Sequence, residues 1–404
     1  MPGASGLAVG RRGMQALSML RAPGLALATS LLLALACGGA DEPATTPATE
    51  GDETPSARSA EADEPRPDAS LAIVAESERR WTGVAVDGRG RVFVNYPRWS
   101  DDVPTSVAVL DEDGTPRPFP DARWNECAAA GGNPERCWVC VQSVHVDARG
   151  DLWVLDPGNP RFQGVVDGAP KLVRFALSED PATTEPAQLI PFREPTITRG
   201  SYLNDVRVDL ERGLAFLTDS GDGALVVVDL ERGESRRLLD DHPSTQAEPI
   251  TLTIGGRPFE SRVHADGLAW DASSGTVYYQ ALTGRTLYAV PADALADAGL
   301  DDAALAAQVR AVGETGASDG LLFAEGRVLT TALERDAIRA VDPTTGAVRD
   351  VVRDARIAWP DSMARGPRGD LFFTTAQIHL GDDPPDPFRV WRLPAAALSA
   401  PTAP

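Results

Sequence analysis

The sequence predicts an all-β protein, a six-bladed β-propeller with one short helical insertion. A polar turn, a short apolar strand, a tight turn that often contains Gly and a second apolar strand recur six times, and the copies begin near Trp81, Gln142, Leu203, Ala265, Ser318 and Pro360. The copies follow one another at intervals of roughly 40 to 60 residues, and a unit of this size cannot bury both of its faces alone. The copies must therefore pack against one another around a central channel.

The turn between the first two strands is similar in four of the copies. It begins with Asp and contains Gly in Asp87-Gly88-Arg89-Gly90 and Asp147-Ala148-Arg149-Gly150, and the same elements return in residues 209–213 and 271–275. Asp and Gly favour tight turns because Asp bonds its own backbone and Gly accepts positive φ. These turns mark the boundaries of the strands.

The first 37 residues predict a lipoprotein signal peptide. Arg11, Arg12 and Arg21 precede an apolar run from Leu25 to Ala36, which is the order of a secretory signal and is too short to span a membrane. The small residue before Cys37 resembles a bacterial lipobox, although Ala34 stands where that motif usually has Leu. We expect cleavage before Cys37, lipidation of its thiol and an extracytoplasmic protein anchored to the cell envelope membrane; an ordinary secretory signal is the alternative, and it too predicts export.

A tether and one large domain follow the signal. Residues 38–69 are rich in Pro, Ala, Thr, Glu and Asp without apolar periodicity, which predicts a disordered acidic linker. Residues 70–397 are long enough to form one large domain with a substantial core. The formal charge is -21, and such an acidic chain repels phosphate backbones. We therefore expect no nucleic-acid partner, no membrane contact beyond the lipid anchor, and a monomer.

Three cysteines lie in the connection between the first two copies: Cys127, Cys137 and Cys140. A redox or zinc site is not favoured, since no thioredoxin-like pattern, second Cys pair or His pair accompanies them. In an exported protein the spacing predicts one disulfide, formed by Cys127 with Cys137 or Cys140.

A helical stretch is predicted between residues 292 and 309, where Ala and Leu are frequent and Leu295, Leu305 and Val309 form an apolar stripe. We expect an insertion between blades that packs on the rim of the propeller; a lid over one face is the alternative.

Polar residues stand at similar places in four of the copies and predict a shared site. In a propeller the residues just before the innermost strand of each blade gather at one mouth of the channel. We therefore expect a small-molecule site formed by Asn204, Asp205, Asp266, Asp319 and Asp361, with His264 beside it and with Asp205 and Asp266 as catalytic candidates. For any one of these residues alone, a role as a turn former is favoured; the repetition of the whole set at equivalent places around a ring favours a shared polar site.

Several segments resemble the signature segments of the major royal jelly protein and Yellow family. They are residues 152–158, 201–209, 217–221, 279–288 and 359–362. The resemblance extends over roughly residues 81 to 380 and implies the same six-bladed fold. Insect Yellow-type relatives include dopachrome-converting enzymes, so the resemblance implies a tautomerase-like activity. Royal jelly members instead imply a non-catalytic ligand-binding protein.

A more distant resemblance connects the chain to the regucalcin and gluconolactonase propellers. Asn204-Asp205, Asp266-Gly267 and Asp319-Gly320 are similar to the segments that present ligands to one divalent cation there. The resemblance implies calcium or magnesium held by Asn204, Asp266 and Asp319, with Glu76 considered as a further ligand from its position alone. Such a cation would polarise a lactone carbonyl while an Asp acts as general base.

Three functions therefore remain open: a tautomerase-like enzyme acting on catechol or indole substrates, a metal-dependent lactonase, and a non-catalytic ligand-binding protein. A serine hydrolase is not among them. Gly316-Ala317-Ser318-Asp319-Gly320 matches the pattern of a nucleophile elbow, but the apolar residues that follow predict a strand where that elbow requires a helix.

The predicted lipid anchor is tested by Cys37→Ala in cells given a fatty-acid probe. We expect wild-type protein to incorporate the label and the variant to remain unlabelled, because the thiol of Cys37 is the acylated atom. Labelling is measured on the purified protein after electrophoresis. Equal labelling of both proteins would contradict the lipobox interpretation.

Overall fold

The structure is a computed structural model that describes residues 67–126, 131–177 and 185–399. The predicted signal peptide, Cys37, nearly all of the predicted tether and Cys127 lie outside the described residues. Within them, no helix is long and apolar enough to cross a membrane.

β-strands are the predominant regular structure of the described residues. The strands are β1 (Ala72–Ser77), β2 (Val84–Val86), β3 (Val92–Asn95), β4 (Val107–Leu110), β5 (Pro116–Pro118), β6 (Ser143–Val146), β7 (Leu152–Asp156), β8 (Lys171–Phe175), β9 (Gln188–Pro191), β10 (Leu203–Asp209), β11 (Leu214–Asp219), β12 (Ala224–Asp229), β13 (Glu234–Leu238), β14 (Leu252–Ile254), β15 (Arg257–Phe259), β16 (Ala265–Asp271), β17 (Thr276–Ala281), β18 (Thr286–Pro291), β19 (Arg310–Glu314), β20 (Ser318–Ala324), β21 (Arg327–Ala332), β22 (Ala337–Val341), β23 (Val348–Arg353), β24 (Pro360–Arg365), β25 (Leu371–Thr375) and β26 (Phe388–Leu393). Four short helices accompany them: α1 (Ala122–Glu126), α2 (Ala292–Ala296), α3 (Asp302–Ala306) and α4 (Ala395–Ser399).

The strands form six antiparallel sheets of four strands, so the predicted six-bladed propeller is confirmed. From the inner to the outer strand the blades are β2-β3-β4-β5, β6-β7-β8-β9, β10-β11-β12-β13, β16-β17-β18-β19, β20-β21-β22-β23 and β24-β25-β26-β1. The inner strands contact their neighbours all around the axis, from β2 through β24 and back to β2. Apolar clusters fill the spaces between consecutive blades.

Blade six is completed by both ends of the domain. β1 pairs antiparallel with β26, with Ala72 opposite Arg392 and Ser77 opposite Phe388. The sequence predicts this closure from the alternation of residues 388–393 and the apolar residues 71–74, and the structure confirms it. The joint hides the outer edge of β26, which would otherwise be free to pair with another chain.

The inner strands approach so closely that some positions accept only glycine. A Cβ atom on Gly267 would lie less than 3.0 Å from the carbonyl oxygen of Asp319, and one on Gly320 equally close to the carbonyl oxygen of Asp361. Gly267 and Gly320 do not have positive φ, so the backbone conformation does not require glycine here. Contact between blades requires it, and the interpretation of these Asp-Gly pairs as turns is wrong.

The helical insertion lies within a blade. α2 and α3 connect β18 to β19, the third and fourth strands of blade four, and the predicted position between blades is wrong. The apolar stripe is real, because Leu295 and Leu305 are buried against the strands of that blade. Periodicity identifies the buried face of a helix but carries no information on which two strands the helix joins.

A two-stranded hairpin that the sequence analysis missed covers one face of the propeller. β14 and β15 pair with each other only, and Gly255 and Gly256, both at positive φ, form the turn between them. Leu252, Ile254 and Phe259 pack in an apolar cluster with Trp359. The pair of glycines between two short apolar runs is the sequence signal that could have predicted this hairpin.

The cysteine loop is described only in part. Cys140 is a free, buried thiol, so the alternative in which Cys140 pairs with Cys127 is not supported. Because Cys127 lies outside the described residues, a bond between Cys127 and Cys137 stays a prediction.

Substitution of the axial glycines should destabilise the fold. We expect Gly267→Ala and Gly320→Ala each to lower the free energy of unfolding by about 1–3 kcal/mol, because the new methyl group overlaps backbone of the next blade and cannot rotate away. Denaturant unfolding measures the effect. Gly88→Ala is the matched control, since nothing lies within 4 Å of its added Cβ. Equal stability of all three variants would contradict the close-contact argument.

Candidate functional site

An irregularity at the start of four inner strands shapes the site. The strand pairing shifts by one residue between Leu203 and Val206 in β10, and equivalent shifts occur in β16, β20 and β24. A β-bulge of this kind leaves residues unpaired and turns their side chains out of the regular alternation. The polar residues predicted from sequence occupy these bulges.

Threonine side chains replace the hydrogen bonds that the bulges remove. Thr218 Oγ1 accepts the backbone N–H of Asp205 at 3.0 Å and donates to the carbonyl oxygen of Asp266 in the next blade at 2.5 Å. Thr374 Oγ1 accepts the N–H of Ser362 in the same way. These bonds satisfy bulged backbone groups, and the bond from Thr218 also joins blade three to blade four.

Six equivalent positions form what we call the polar ring. Each member lies two residues before a paired apolar residue of the inner strand of its blade; these apolar residues are Val84, Val144, Val206, Leu268, Leu321 and Met363. The members of the polar ring are Thr82, Gln142, Asn204, Asp266, Asp319 and Asp361. Their exposed fractions lie between 0% and 8%. The structure thus brings together four of the five predicted mouth residues in one buried layer.

Hydrogen bonds join consecutive members of the polar ring. Gln142 Nε2 donates to Asn204 Oδ1 at 3.2 Å, and Asn204 Nδ2 donates to Asp266 Oδ2 at 2.8 Å. Asp266 is hydrogen bonded in turn to Asp319, whose Oδ2 accepts the indole N–H of Trp359 at 2.7 Å. A continuous polar chain therefore runs from blade two to blade five.

Asp266 and Asp319 form a hydrogen-bonded pair of buried carboxyl groups whose pKa values are both raised. Burial raises the pKa of Asp266 well above its usual value, and the nearby carboxylates of Asp319, Asp205 and Asp361 raise it further. Burial also raises the pKa of Asp319 to about 7, while the bond from Trp359 favours its charged form. Two buried carboxyl groups in contact cannot both ionise cheaply. The pair therefore retains a proton at pH values at which an exposed aspartate is ionised, and Asp319 titrates near neutral pH.

Asp361 completes the acidic side of the polar ring. Burial raises its pKa well above the usual value, and Asp319 and Asp205 raise it further. Arg80 is the cation that opposes this shift. Its Nε donates to the carbonyl oxygen of Ala376 at 2.9 Å. Because Arg80 comes from the connection between β1 and β2, sequence reasoning that followed the inner strands did not find it.

Asp205 lies one residue beyond the polar ring and faces along the channel. Its Oδ2 accepts from Arg207 at 3.3 Å and from the N–H of Leu268 at 3.1 Å, while Ser143 donates to Oδ1 at 3.3 Å. Burial raises the pKa of Asp205, and Arg207 partly opposes the shift. The structure therefore separates Asp205 from the Asp266–Asp319 pair while leaving its charge close enough to act on both.

Two further candidates are not brought to the site. His264 Nδ1 accepts the N–H of Ala247 at 3.1 Å, and the charged groups that affect its pKa are Arg262 and acids of other loops. Glu76 lies on β1, the outermost strand of blade six, and pairs with Arg389 at 2.8 Å. An outer strand cannot reach the axis, so Glu76 is excluded as a channel ligand.

The interpretation of Asp as a turn former is right for a different set of residues. Asp87 Oδ1 accepts the N–H of Arg89 at 3.0 Å, and Asp147 Oδ1 accepts that of Arg149 at 2.8 Å. Asp209 and Asp271 bind their own turns in the same manner. These residues stand at the far end of each inner strand, and their bonds hold the local backbone.

As arranged, the three predicted cation ligands do not fit a divalent ion. The amide oxygen of Asn204 faces Gln142 while its NH₂ group faces Asp266, and Asp319 Oδ2 is occupied by Trp359. Within the described ranges, no group of three or more His, Cys, Asp or Glu side chains could hold a metal ion. Calcium or magnesium binding by Asn204, Asp266 and Asp319 stays a prediction.

Fold and site together define a β-propeller with a buried polar layer at one end of its axis. The family model of the major royal jelly proteins matches residues 139–368, which is more than half of the chain and extends from the approach to blade two into the inner strand of blade six. The chain belongs to the major royal jelly protein family.

Curated relatives are matched over part of their length. The protein yellow of Drosophila yakuba is 24% identical over 226 residues, which are 51% of this chain and 40% of that protein. The protein yellow of Drosophila guanche is 35% identical over 74 residues, 17% of this chain and 12% of that protein. The chain therefore spans less than half the length of these relatives.

Solved structures of other propellers share the fold. A gluconolactonase from Xanthomonas campestris superposes with a TM-score of 0.51 at 16% identity and covers 82% of this chain and 95% of its own. A luciferin-regenerating enzyme superposes with a TM-score of 0.52 at 14% identity and covers 80% and 94%. At such identities the similarity shows the fold alone.

The raised pKa values predict that stability falls as pH rises. The native protein retains protons on Asp266, Asp319 and Asp361 that the unfolded chain releases near pH 4. The contribution of these protons to the free energy of unfolding is therefore fully present below about pH 4. It is lost as the pH rises, up to about pH 7 for Asp319 and at higher pH for Asp266 and Asp361. Each retained proton contributes about 1.4 kcal/mol per pH unit.

Asp266→Asn should reduce this decline, because the amide can still donate to Asp319 and accept from Asn204 without a titrating proton. The measurement is the unfolding free energy of both proteins between pH 4.5 and 8.5. Asp293→Asn, at an exposed position, is the control and should follow the wild type. A wild-type slope in the Asp266 variant would contradict the assignment of the proton.

Proposed function

We propose that this protein is an exported, lipid-anchored propeller whose polar ring binds a small molecule and moves a proton within it, as a tautomerase-like isomerase does. The observation that carries the proposal is the Asp266–Asp319 pair. One carboxyl group holds a proton, and the other has a pKa raised to about 7. General acid and base catalysis is most efficient when the pKa of the group lies near the working pH.

The two carboxyl groups have distinct roles in this proposal. Asp319, with its charged form stabilised by Trp359, takes a proton from one atom of the substrate. Asp266 donates its proton to a second atom of the same conjugated system, and the proton then passes from Asp319 back to Asp266 through their hydrogen bond. Protons balance, and no co-reactant is required. Asp205, the other catalytic candidate from sequence, acts through its charge on the pKa of the pair.

In this proposal the β14–β15 hairpin controls access to the polar ring. Phe259 of the β14–β15 hairpin packs edge-on against Trp359 at 5.1 Å between ring centroids, and His379 stacks on Trp359 at 5.8 Å. Because Trp359 also binds Asp319, displacement of the hairpin would open the ring and loosen the base together. We propose that substrate enters in this way.

Export and anchoring are supported by the sequence of the first 37 residues and by the acidic composition of the chain. A monomer tethered outside the cytoplasm would meet small molecules from the surroundings. Catechol or indole compounds fit the proposal, since tautomerisation of a conjugated ring needs a proton acceptor and donor but no cofactor.

A metal-dependent lactonase is the second candidate. Its support is the arrival of four buried acids from blades three to six near one axis, namely Asp205, Asp266, Asp319 and Asp361, in a fold shared with a gluconolactonase. Cation binding would require the Asn204 amide to turn over and Asp266 to lose its proton. A ligand carrier without catalysis is the third candidate.

The candidates are separated by turnover of a dopachrome and of a panel of sugar lactones, each with and without EDTA. We expect dopachrome conversion that EDTA does not affect and that falls by about 10²–10⁴ in Asp266→Asn and Asp319→Asn. In the wild type, the activity should depend on a group that titrates near pH 7. Asp293→Asn should retain full activity.

Each other outcome selects an alternative. EDTA-sensitive lactone hydrolysis, with calorimetric binding of calcium, magnesium or zinc, would identify the lactonase. Ligand binding without turnover would identify a carrier. Full binding and activity in the double variant Asp266→Ala with Asp319→Ala would overturn the polar ring as the functional site.

A further inference from the structure

A second polar space lies on the propeller axis beyond the polar ring. It has a volume of roughly 140 Å³ and is lined by inner strands of blades one, two, three, five and six. Its polar lining residues are Ser143, His145, Asp205, Arg207, Ser362 and Arg365. We call it the axial cavity. None of the proposed proton-transfer steps uses it.

Arg207 lines the axial cavity, and one nitrogen of its guanidinium has no hydrogen-bond partner. The residue is only 8% exposed. One terminal nitrogen donates to the carbonyl oxygen of Val206 at 2.7 Å, and the other donates to the carbonyl oxygen of Leu321 at 2.7 Å and to Asp205 at 3.3 Å. Nε is buried and has no hydrogen-bond partner. An unsatisfied guanidinium N–H in the core requires an explanation, since such groups almost always bind a partner.

The imidazole of His145 lies beside Arg207 and makes no hydrogen bond to another described residue. Burial and the adjacent charge of Arg207 lower its pKa to about 3, so the free protein holds a neutral imidazole next to a cation. A neutral imidazole still carries one N–H donor. Two residues from neighbouring blades, each with a donor that lacks a protein acceptor, therefore line one small cavity.

The local acid neutralises Arg207 only in part. All three bonds to Asp205 are long, between 3.1 and 3.3 Å, and burial raises the pKa of this carboxyl group. The other cation of the cavity, Arg365, is already paired with Glu325 at 2.9 Å. The positive charge of the Arg207 guanidinium is therefore offset less completely than that of Arg365.

We infer that the axial cavity binds a small oxyanion, a carboxylate or phosphate group, between the guanidinium of Arg207 and the imidazole of His145. A planar guanidinium binds oxyanions through charge-assisted hydrogen bonds. The cavity admits one such group with a few waters, since a water molecule occupies about 30 Å³. The site is separate from the acidic polar ring, and it gives the two parts of the channel opposite ligand preferences.

The inference is tested with acetate and inorganic phosphate as probes, by calorimetry on the full domain in a buffer free of other oxyanions. We expect one site per chain, and at least about tenfold weaker binding in Arg207→Met, since charge-assisted bonds are lost. Arg212→Met removes an exposed guanidinium and should bind as the wild type does. Binding of acetate alone identifies a carboxylate site, and binding of phosphate alone a phosphate site.

A second readout on the wild type keeps the test decisive if Arg207→Met does not fold. The bound anion should raise the pKa of His145, seen as a shift of its imidazole resonances in NMR titrations with each probe. His145→Asn removes that signal and identifies it. Absence of binding and of any shift with both probes, or equal affinity in a folded Arg207→Met, would overturn the inference and leave the cavity to water.

Discussion

Close contact between inner strands at the propeller axis is the constraint on which the rest of the structure depends. Gly267 and Gly320 leave no room for a side chain because the carbonyl groups of the next blade occupy that space. This approach brings the residues just before them, Asp266 and Asp319, within hydrogen-bonding range of each other. The same contacts let Thr218 bond across to the neighbouring blade. Packing and chemistry therefore have one origin, and a change that loosens the axis would also separate the acid pair.

The channel is electrostatically divided along its length. Three carboxyl groups of the polar ring have raised pKa values because burial and mutual repulsion disfavour their charged forms. In the axial cavity, Arg207 keeps an unused donor, and burial together with the charge of Arg207 lowers the pKa of His145. Asp205 stands between the two regions and interacts with both. Its position explains how opposite charge preferences coexist within a narrow space.

The repeat pattern was enough to predict the blades, because strand alternation and Asp-Gly turns are local signals. It was also enough to place Asn204, Asp266, Asp319 and Asp361 together, since equivalent positions in a closed ring must meet. Gln142 and Thr82 occupy the equivalent positions in blades two and one but are not among the predicted site residues.

The contacts of the site could not be predicted from local pattern. Trp359 and Arg80 reach the acids from separate connections, and His264 turns to the backbone of a neighbouring loop. The reason for glycine at position 267 is likewise a contact between blades, which no single strand reveals.

The closure of blade six has a mechanical consequence. β1 is the first strand after the predicted tether, so a protein anchored through Cys37 would transmit any pull on the anchor to the β1–β26 pairing. Asp68 lies between the tether and β1. Its N–H donates to Asp354 Oδ2 at 2.7 Å, and its carbonyl oxygen accepts from Arg356 at 3.2 Å. This clamp joins the chain to blades five and six just ahead of the seam. These bonds would resist tension on the anchor before it reaches the β1–β26 pairing, and so would protect the closure of the propeller.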